Sequence, residues 1–261
     1  MTKSSNLVAM SKHGRVAEIT IDHPPMNAIS VEILEALAEL IAACEQDHSI
    51  RSILLNTAHG KPPFAADGAA LLADTSWDGQ SRMIERGKQA LTAIEFCTKP
   101  VVMAIYDGVC MGGGLELALS CHIRVVGQGT IFSVPEALAG AMPGWGNTQR
   151  LVHYFGRAKA IELMLTGAQV TANEALALRA VNHVVAGSEV YAKTCEIADA
   201  IARMRTKSII ATMHAVHVPY RNGLAEGKAV EFERYMGIYD PKTFAAAVTA
   251  LFEQRTMEFT D

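Results

Sequence analysis

The 261-residue sequence contains no apolar run approaching the roughly 18 residues that a membrane-spanning helix needs. It lacks the Lys/Arg stripe that neutralises a phosphate backbone, and its formal net charge is only −4. Nucleic acid is therefore not expected as the main partner. An anionic ligand would have to be held by a few local cations and by backbone N–H groups. The five cysteines, Cys44, Cys97, Cys110, Cys121 and Cys195, show no metal-ligand spacing. Most lie in apolar, helix- or strand-like surroundings and read as small buried hydrophobes. The start, Met1 to Asn6 (MTKSSN), has neither the apolar core of a secretion signal nor the arginines of a transit peptide. A cytoplasmic location is the expectation. Neither the GxxxxGK(S/T) phosphate loop nor the GxGxxG dinucleotide fingerprint occurs, and there is no internal repeat, low-complexity tract or flexible linker.

What is present is apolar content. Half of the residues are hydrophobic and 19% are charged, enough to bury a sizeable core in one large domain, alone or with a smaller appendage. Val16–Asp22 (VAEITID) alternates and predicts a strand, followed by a turn at His23-Pro24-Pro25. Ser30 can cap a helix in which Leu34, Leu37, Ile41 and Cys44 recur at helical spacing. Ser52–Asn56 reads as a buried strand, Thr57–Ala66 as a loop, Ser81–Cys97 as a helix and Val101–Tyr106 as a strand. Ile123–Val126, Ile131–Val134 and Val181–Val185 continue the strands, and Thr171–Glu174 (TANE) fits a capping box. Strands alternating with helices predict an α/β fold with parallel pairing over residues 1–188. From residue 189 only helices are expected, over Glu189–Met204, Ser208–His217, Leu224–Tyr235 and Asp240–Gln254, the last opened by Asp240 and Pro241.

Three segments concentrate chemistry. Met111–Leu119 (MGGGLELAL) follows a strand directly. Three consecutive glycines there imply close backbone approach or unusual dihedrals. A helix starting near Gly114 would leave unpaired N–H groups and its positive end at Gly113, a place to stabilise a developing oxyanion, with Glu116 in the first turn beside it. The alternative is a tightly packed strand-to-helix turn with a glutamate that merely suits the helix dipole. In the second segment, Phe132–Glu136 (FSVPE), Pro135 starts a turn and places Glu136 at a strand end; a plain first-turn helix glutamate is the other reading. A pair of carboxyl groups around one water is what hydration chemistry needs, one taking a proton from water while another group gives one to carbon. The third, Pro143–Leu151 (PGWGNTQRL), is a glycine loop running into a helix.

Taken together these segments resemble the crotonase superfamily, the enoyl-CoA hydratase/isomerase family, whose pattern has a GGG-x-E-LAL-x-C block, then F-x-x-PE, then PG-x-G-x-TQRL. Further matches are His23–Ala28 (HPPMNA), Phe64–Ala66, Leu165–Gly167, Ala172–Ala175 and Phe252–Arg255. The likeness covers nearly the whole chain and is most specific between Lys99 and Gly167. It implies a spiral of ββα units as core, followed over residues 189–261 by helices that pack trimers, often two trimers face to face. It implies an acyl-CoA substrate, coenzyme A entering as part of that substrate, and no metal or redox cofactor. The thioester carbonyl is then expected between the backbone N–H of Gly113 and a second one, for which Gly68 aligns best. Met26, Ala28, Ala66 and Asp67 would line the coenzyme A path, and Glu116 and Glu136 would divide the proton traffic. Two retained glutamates favour hydration over isomerisation, hydrolysis or a catalytically silent, ligand-binding role.

Three positions depart from the pattern. The usual Gly-Ala-Asp after Phe-x-Ala is here Asp67-Gly68-Ala69, which leaves the register of the second donor open by one residue, Asp67 being the other candidate. His122 stands where an aspartate is common and reads as a helix-end or strand residue. Asn147 replaces a frequent glycine.

Overall fold

A computed structural model of the chain describes residues 2–5, 7–222 and 224–238, with positions 240, 242, 243, 246, 250 and 253. In chain order the strands are β1 (Thr2–Ser5), β2 (Val8–His13), β3 (Val16–Ile21), β4 (Ser52–Thr57), β5 (Val101–Ile105), β6 (Gly108–Met111), β7 (Ile123–Gly127), β8 (Thr130–Ser133), β9 (Gln169–Thr171) and β10 (His183–Val185). The helices are α1 (Val31–Gln46), α2 (Gly68–Ala73), α3 (Trp77–Glu95), α4 (Gly112–Ser120), α5 (Asn147–Phe155), α6 (Arg157–Thr166), α7 (Ala172–Ala177), α8 (Val190–Ala202), α9 (Thr206–Asn222) and α10 (Leu224–Ile238).

The strands form two sheets, a seven-stranded one ordered β1-β2-β3-β4-β5-β7-β10 and a three-stranded one ordered β6-β8-β9. From β3 to β10 every neighbouring pair in the large sheet is parallel, while β1-β2 and β2-β3 are antiparallel. From β5 onward each successive pair of strands is shared out between the sheets. β5 joins the large sheet and β6 the small one, and β7 and β8 repeat the division. The chain thus winds as a ββα spiral, the α/β class expected from its alternation.

Period-2 burial explains why the large sheet is covered on both faces. Ile53 and Leu55 of β4, with Val101, Met103 and Ile105 of β5, point into the main core beneath α1, α3 and α4. Leu54, Val102 and Ala104 point the other way, into a second cluster with Val190, Ala198 and Ala202 of α8. Each Val, Leu, Ile or Met side chain among them, fully buried, contributes about 1.5–3 kcal/mol. Two polar residues tie α8 down: Ser52 Oγ donates to Ala198 O (2.8 Å), and Arg51 Nη1 to Ala202 O (3.3 Å) and, just past the helix, to Met204 O (2.8 Å). The expected run of helices after residue 188 therefore opens with one seated on the sheet. α9 and α10 then pack on each other.

Local signals account for most boundaries. Ser30 Oγ accepts from Ile33 N, and Leu34, Leu37, Ile41 and Cys44 of α1 are all buried. Both halves of the capping box at Thr171 and Glu174 are present at α7. Other expectations need correction. α3 starts four residues before Ser81 because Ser76 caps it, accepting from Gly79 N at 3.1 Å. Helix α2 lay unrecognised in the 67–69 loop, where Asp67 Oδ1 accepts from Ala69 N at 2.9 Å. The strand expected over Val181–Val185 begins at His183, since Asn182 Oδ1 instead accepts from Arg124 N at 2.9 Å. The β1-β2 hairpin and β9 were not anticipated. Asp240 Oδ2 accepts from Thr243 N as a cap should (2.9 Å), but most of the helix expected over Asp240–Gln254 lies outside the described residues, as do Phe252, Gln254 and Arg255. Among the described residues no helix is long and apolar enough to cross a membrane.

Candidate active site

The site forms where β6 runs without a connecting turn into α4. Met111 is the N-cap, and Gly112 takes φ +46°, the left-handed backbone that lets an extended strand swing straight into a helix. The helix thus begins at Gly112, two residues earlier than expected. Its first-turn N–H groups, which have no partner within the helix, include that of Gly113. For the same reason Glu116 is the fifth helical residue and not part of the first turn, which carries it into the interior at 3% exposure.

Three stretches of chain are laced together at this helix end. Met111 N donates to Phe64 O (2.7 Å), Ile29 N to Ala65 O (2.7 Å) and Asp67 N to Ile29 O (2.8 Å). Ala66 bridges Ile29 between them. The packing is close enough that a Cβ on Gly113 would stand 2.9 Å from Ala66 N and 2.7 Å from Cζ3 of Trp145. Only glycine fits. The amide brought against Gly113 is therefore that of Ala66. Gly68 opens α2 with nothing within 4 Å of where its Cβ would be, and Asp67 is occupied as the α2 cap, its other oxygen 3.9 Å from His23 Nε2. In this loop Asp67 and Gly68 start a helix.

Glu116 Oε1 accepts from two backbone amides of the next loop, Trp145 N (2.8 Å) and Asn147 N (3.2 Å). Burial pushes its carboxyl up to about 7, reinforced by the nearby charge of Glu136 and opposed by those two amides and by Arg150. Glu136 follows β8 and Pro135 and opens a single 3-10 turn, Glu136–Ala139. Its Oε1 lies 3.1 Å from where a Cβ on Gly112 would stand, and its Oε2 is buried without a partner. Burial raises this carboxyl as well. The two acids that the sequence singled out thus meet at one helix end, each biased towards protonation.

The remaining expected residues fall around this centre. Met26 is 45% exposed at the rim and Ala28 is half-buried, its carbonyl accepting from His23 Nδ1 at 2.7 Å. Asn27 between them adopts φ +52° and donates to Ala58 O (3.0 Å), anchoring the rim. His122 is structural: Val101 N donates to its Nδ1 (2.9 Å) and its Nε2 faces Glu95 O (3.1 Å), with burial lowering it to about 4. Sequence reasoning missed the partners of Glu116 and the role of Arg150, which donates to Trp145 O (2.8 Å) and pairs with Glu95 Oε2 (2.8 Å). The PG-x-G-x-TQRL block was their signal. Trp145 Nε1 and both amide atoms of Asn147 are buried without partners. Among the described residues no group of three His, Cys, Asp or Glu side chains could hold a metal ion.

A spiral of two-sheet units with a glycine-opened helix at its centre defines the crotonase-type class. A family model described as enoyl-CoA hydratase/isomerase matches residues 11–261, and the chain belongs to that family. A probable enoyl-CoA hydratase of Bacillus subtilis is 35% identical, over 97% of this chain and 98% of its own length. A short-chain-enoyl-CoA hydratase of Clostridium acetobutylicum is 31% identical, over 97% of each. The solved structure of Pseudomonas aeruginosa DspI superposes with a TM-score of 0.90 at 28% identity, covering 98% of this chain and 97% of that one.

Proposed function

We propose that the chain is an enoyl-CoA hydratase, adding water across the 2,3 double bond of an enoyl-coenzyme A thioester. The observation that carries the reading is the pair of carboxyl groups gathered at the N-terminus of α4, Glu116 buried and Glu136 half-buried with its Oε2 enclosed. In this reading the thioester oxygen accepts from Gly113 N–H and, in place of Gly68, from Ala66 N–H. Attack at the β-carbon drives the double-bond electrons towards that oxygen as an enolate, where the helix end and two amides hold the charge. Glu116, ionised, takes a proton from the water whose oxygen bonds to the β-carbon. Glu136, protonated, gives one to the α-carbon as the enolate collapses. One water is added in total, and a proton passed from Glu116 to Glu136 restores the starting state. A base titrating at about 7 is well matched to work near neutral pH.

Coenzyme A belongs to the substrate, its path assigned to the rim at Met26, Ala28 and Asp67; no metal or other cofactor takes part. The protein works in the cytoplasm as a trimer or a pair of trimers. Exposed apolar side chains on α10, Phe232, Tyr235 and Met236, support that assembly. The test of function is loss of the conjugated enoyl-thioester absorbance with crotonyl-CoA and several longer enoyl-CoA substrates. If the chromophore survives prolonged incubation with every one of them, the hydratase reading is wrong.

A further inference from the structure

The indole of Trp145 lies at the site, yet the chemistry above makes no use of it. Its main chain is held at both ends, N–H on Glu116 Oε1 (2.8 Å) and carbonyl on Arg150 Nη1 (2.8 Å). The residue is 3% exposed. One edge of the ring, Cζ3, stands 2.7 Å from where a Cβ on Gly113 would be. The other, Nε1, stands 2.3 Å from where a Cβ on Gly87 of α3 would be. The ring therefore bridges the α4 end to α3, and a side chain on either glycine would evict it. Its N–H finds no acceptor there, so shape and not a polar anchor holds it. Ile84, three residues before Gly87, closes the same seam, its Cδ1 2.3 Å from where a Cβ on Gly144 would be.

Consider a substrate whose thioester oxygen rests on Gly113 N–H and whose β-carbon lies beside Glu116. The carbons beyond the β-carbon then run towards the loop that binds Glu116, and there they meet the indole. We infer that Trp145 determines specificity: its ring closes the acyl end of the chamber and restricts the substrate to small enoyl groups of about four carbons. This rests on the hydratase reading of the site.

The test compares hydration of 2-enoyl-CoA substrates of four, six, eight and ten carbons by the native protein and by Trp145→Ala. In the native protein kcat/KM should fall at least about tenfold from four to ten carbons, since each ill-fitting methylene costs on that order or more. In the variant the ten-carbon substrate should gain about tenfold relative to the four-carbon one. Equal use of both lengths by the native protein, or parallel profiles for native and variant, overturns the inference. A second measurement needs neither turnover nor a folded Trp145→Ala protein. In Trp77→Phe, which removes an 82% exposed ring, all tryptophan emission comes from Trp145. Butanoyl-CoA should shift that emission and bind at least about tenfold tighter than decanoyl-CoA; decanoyl-CoA binding as tightly refutes the wall. Absence of hydration with every length, alongside this binding preference, sinks the hydratase reading and leaves the specificity argument standing.

Discussion

Replacing Gly113 with alanine puts a methyl carbon 2.7 Å from Cζ3 of Trp145 and 2.9 Å from the amide nitrogen of Ala66. Neither neighbour can yield cheaply. Ala66 is bridged to Ile29 and flanked by two backbone hydrogen bonds, and the Trp145 ring is already seated against α3. The added carbon must push one or both amides off the line along which they meet the thioester oxygen. Misaiming one oxyanion donor costs about 2.7–4 kcal/mol of barrier, a 10²–10³-fold drop in kcat. Overpacking alone would cost about 1–3 kcal/mol of stability. The control is Gly68→Ala, where the same carbon enters open space at the start of a helix. It should leave kcat within about twofold and stability unchanged or higher by up to ~1 kcal/mol. Crotonyl-CoA hydration and urea unfolding, run on both variants, read the two effects separately. A Gly113→Ala protein with native kcat, or a hundredfold loss in Gly68→Ala, would refute the pairing of Gly113 with Ala66.

Glu116→Gln and Glu136→Gln should each lower kcat by about 10²–10⁴-fold while folding normally; native activity in both would remove the two-carboxyl mechanism. Because Glu116 must be ionised to accept a proton and titrates at about 7, kcat/KM should fall on the acid side of about pH 7, and an acid limb centred near 4.5 would contradict this. The same raised value has a stability consequence. The folded protein holds the Glu116 proton that the unfolded chain gives up near 4.5, so the contribution is full below about 4.5 and lost as pH rises to about 7. Glu116→Gln should therefore gain on the native protein in thermal melts between pH 5 and pH 8, and parallel melting profiles would sink the assignment. His122→Phe removes two hydrogen bonds to main-chain groups, so it should cost about 1–3 kcal/mol in urea unfolding with kcat unchanged; a large loss of kcat would make His122 more than structural.

Legibility in the sequence followed the range of the forces involved. Helix α1 could be read because its cap and its apolar stripe are local and periodic, and α7 because a capping box is complete within four residues. Helix α2 escaped because six residues give no periodicity, leaving only Asp67 as a start signal. The start of α4 was placed two residues late, since nothing in a run of three glycines says which of them turns left-handed. Glu116 and Glu136 were legible as residue types, but the amides that hold Glu116 come from 29 and 31 positions away. Every residue except proline carries a backbone N–H, so such a partner leaves no mark in composition or spacing. For the same reason the letters gave no sign of Ala66, whose amide nitrogen packs against Gly113. Alignment of residue letters compared side chains, whereas the fold selects a main-chain group.

The position of α8 bears on how the polypeptide can be shortened. A gene product ending at residue 188 would keep every described strand and both glutamates, yet Leu54, Val102, Ala104 and Val125 would lie bare on one side of a parallel sheet. Such a slab would adhere to others of its kind before it could meet a substrate. The thirteen residues of α8 are thus the lid of the hydrophobic interior, and a fragment meant to retain the catalytic chamber must extend at least to Met204, whose carbonyl receives Arg51.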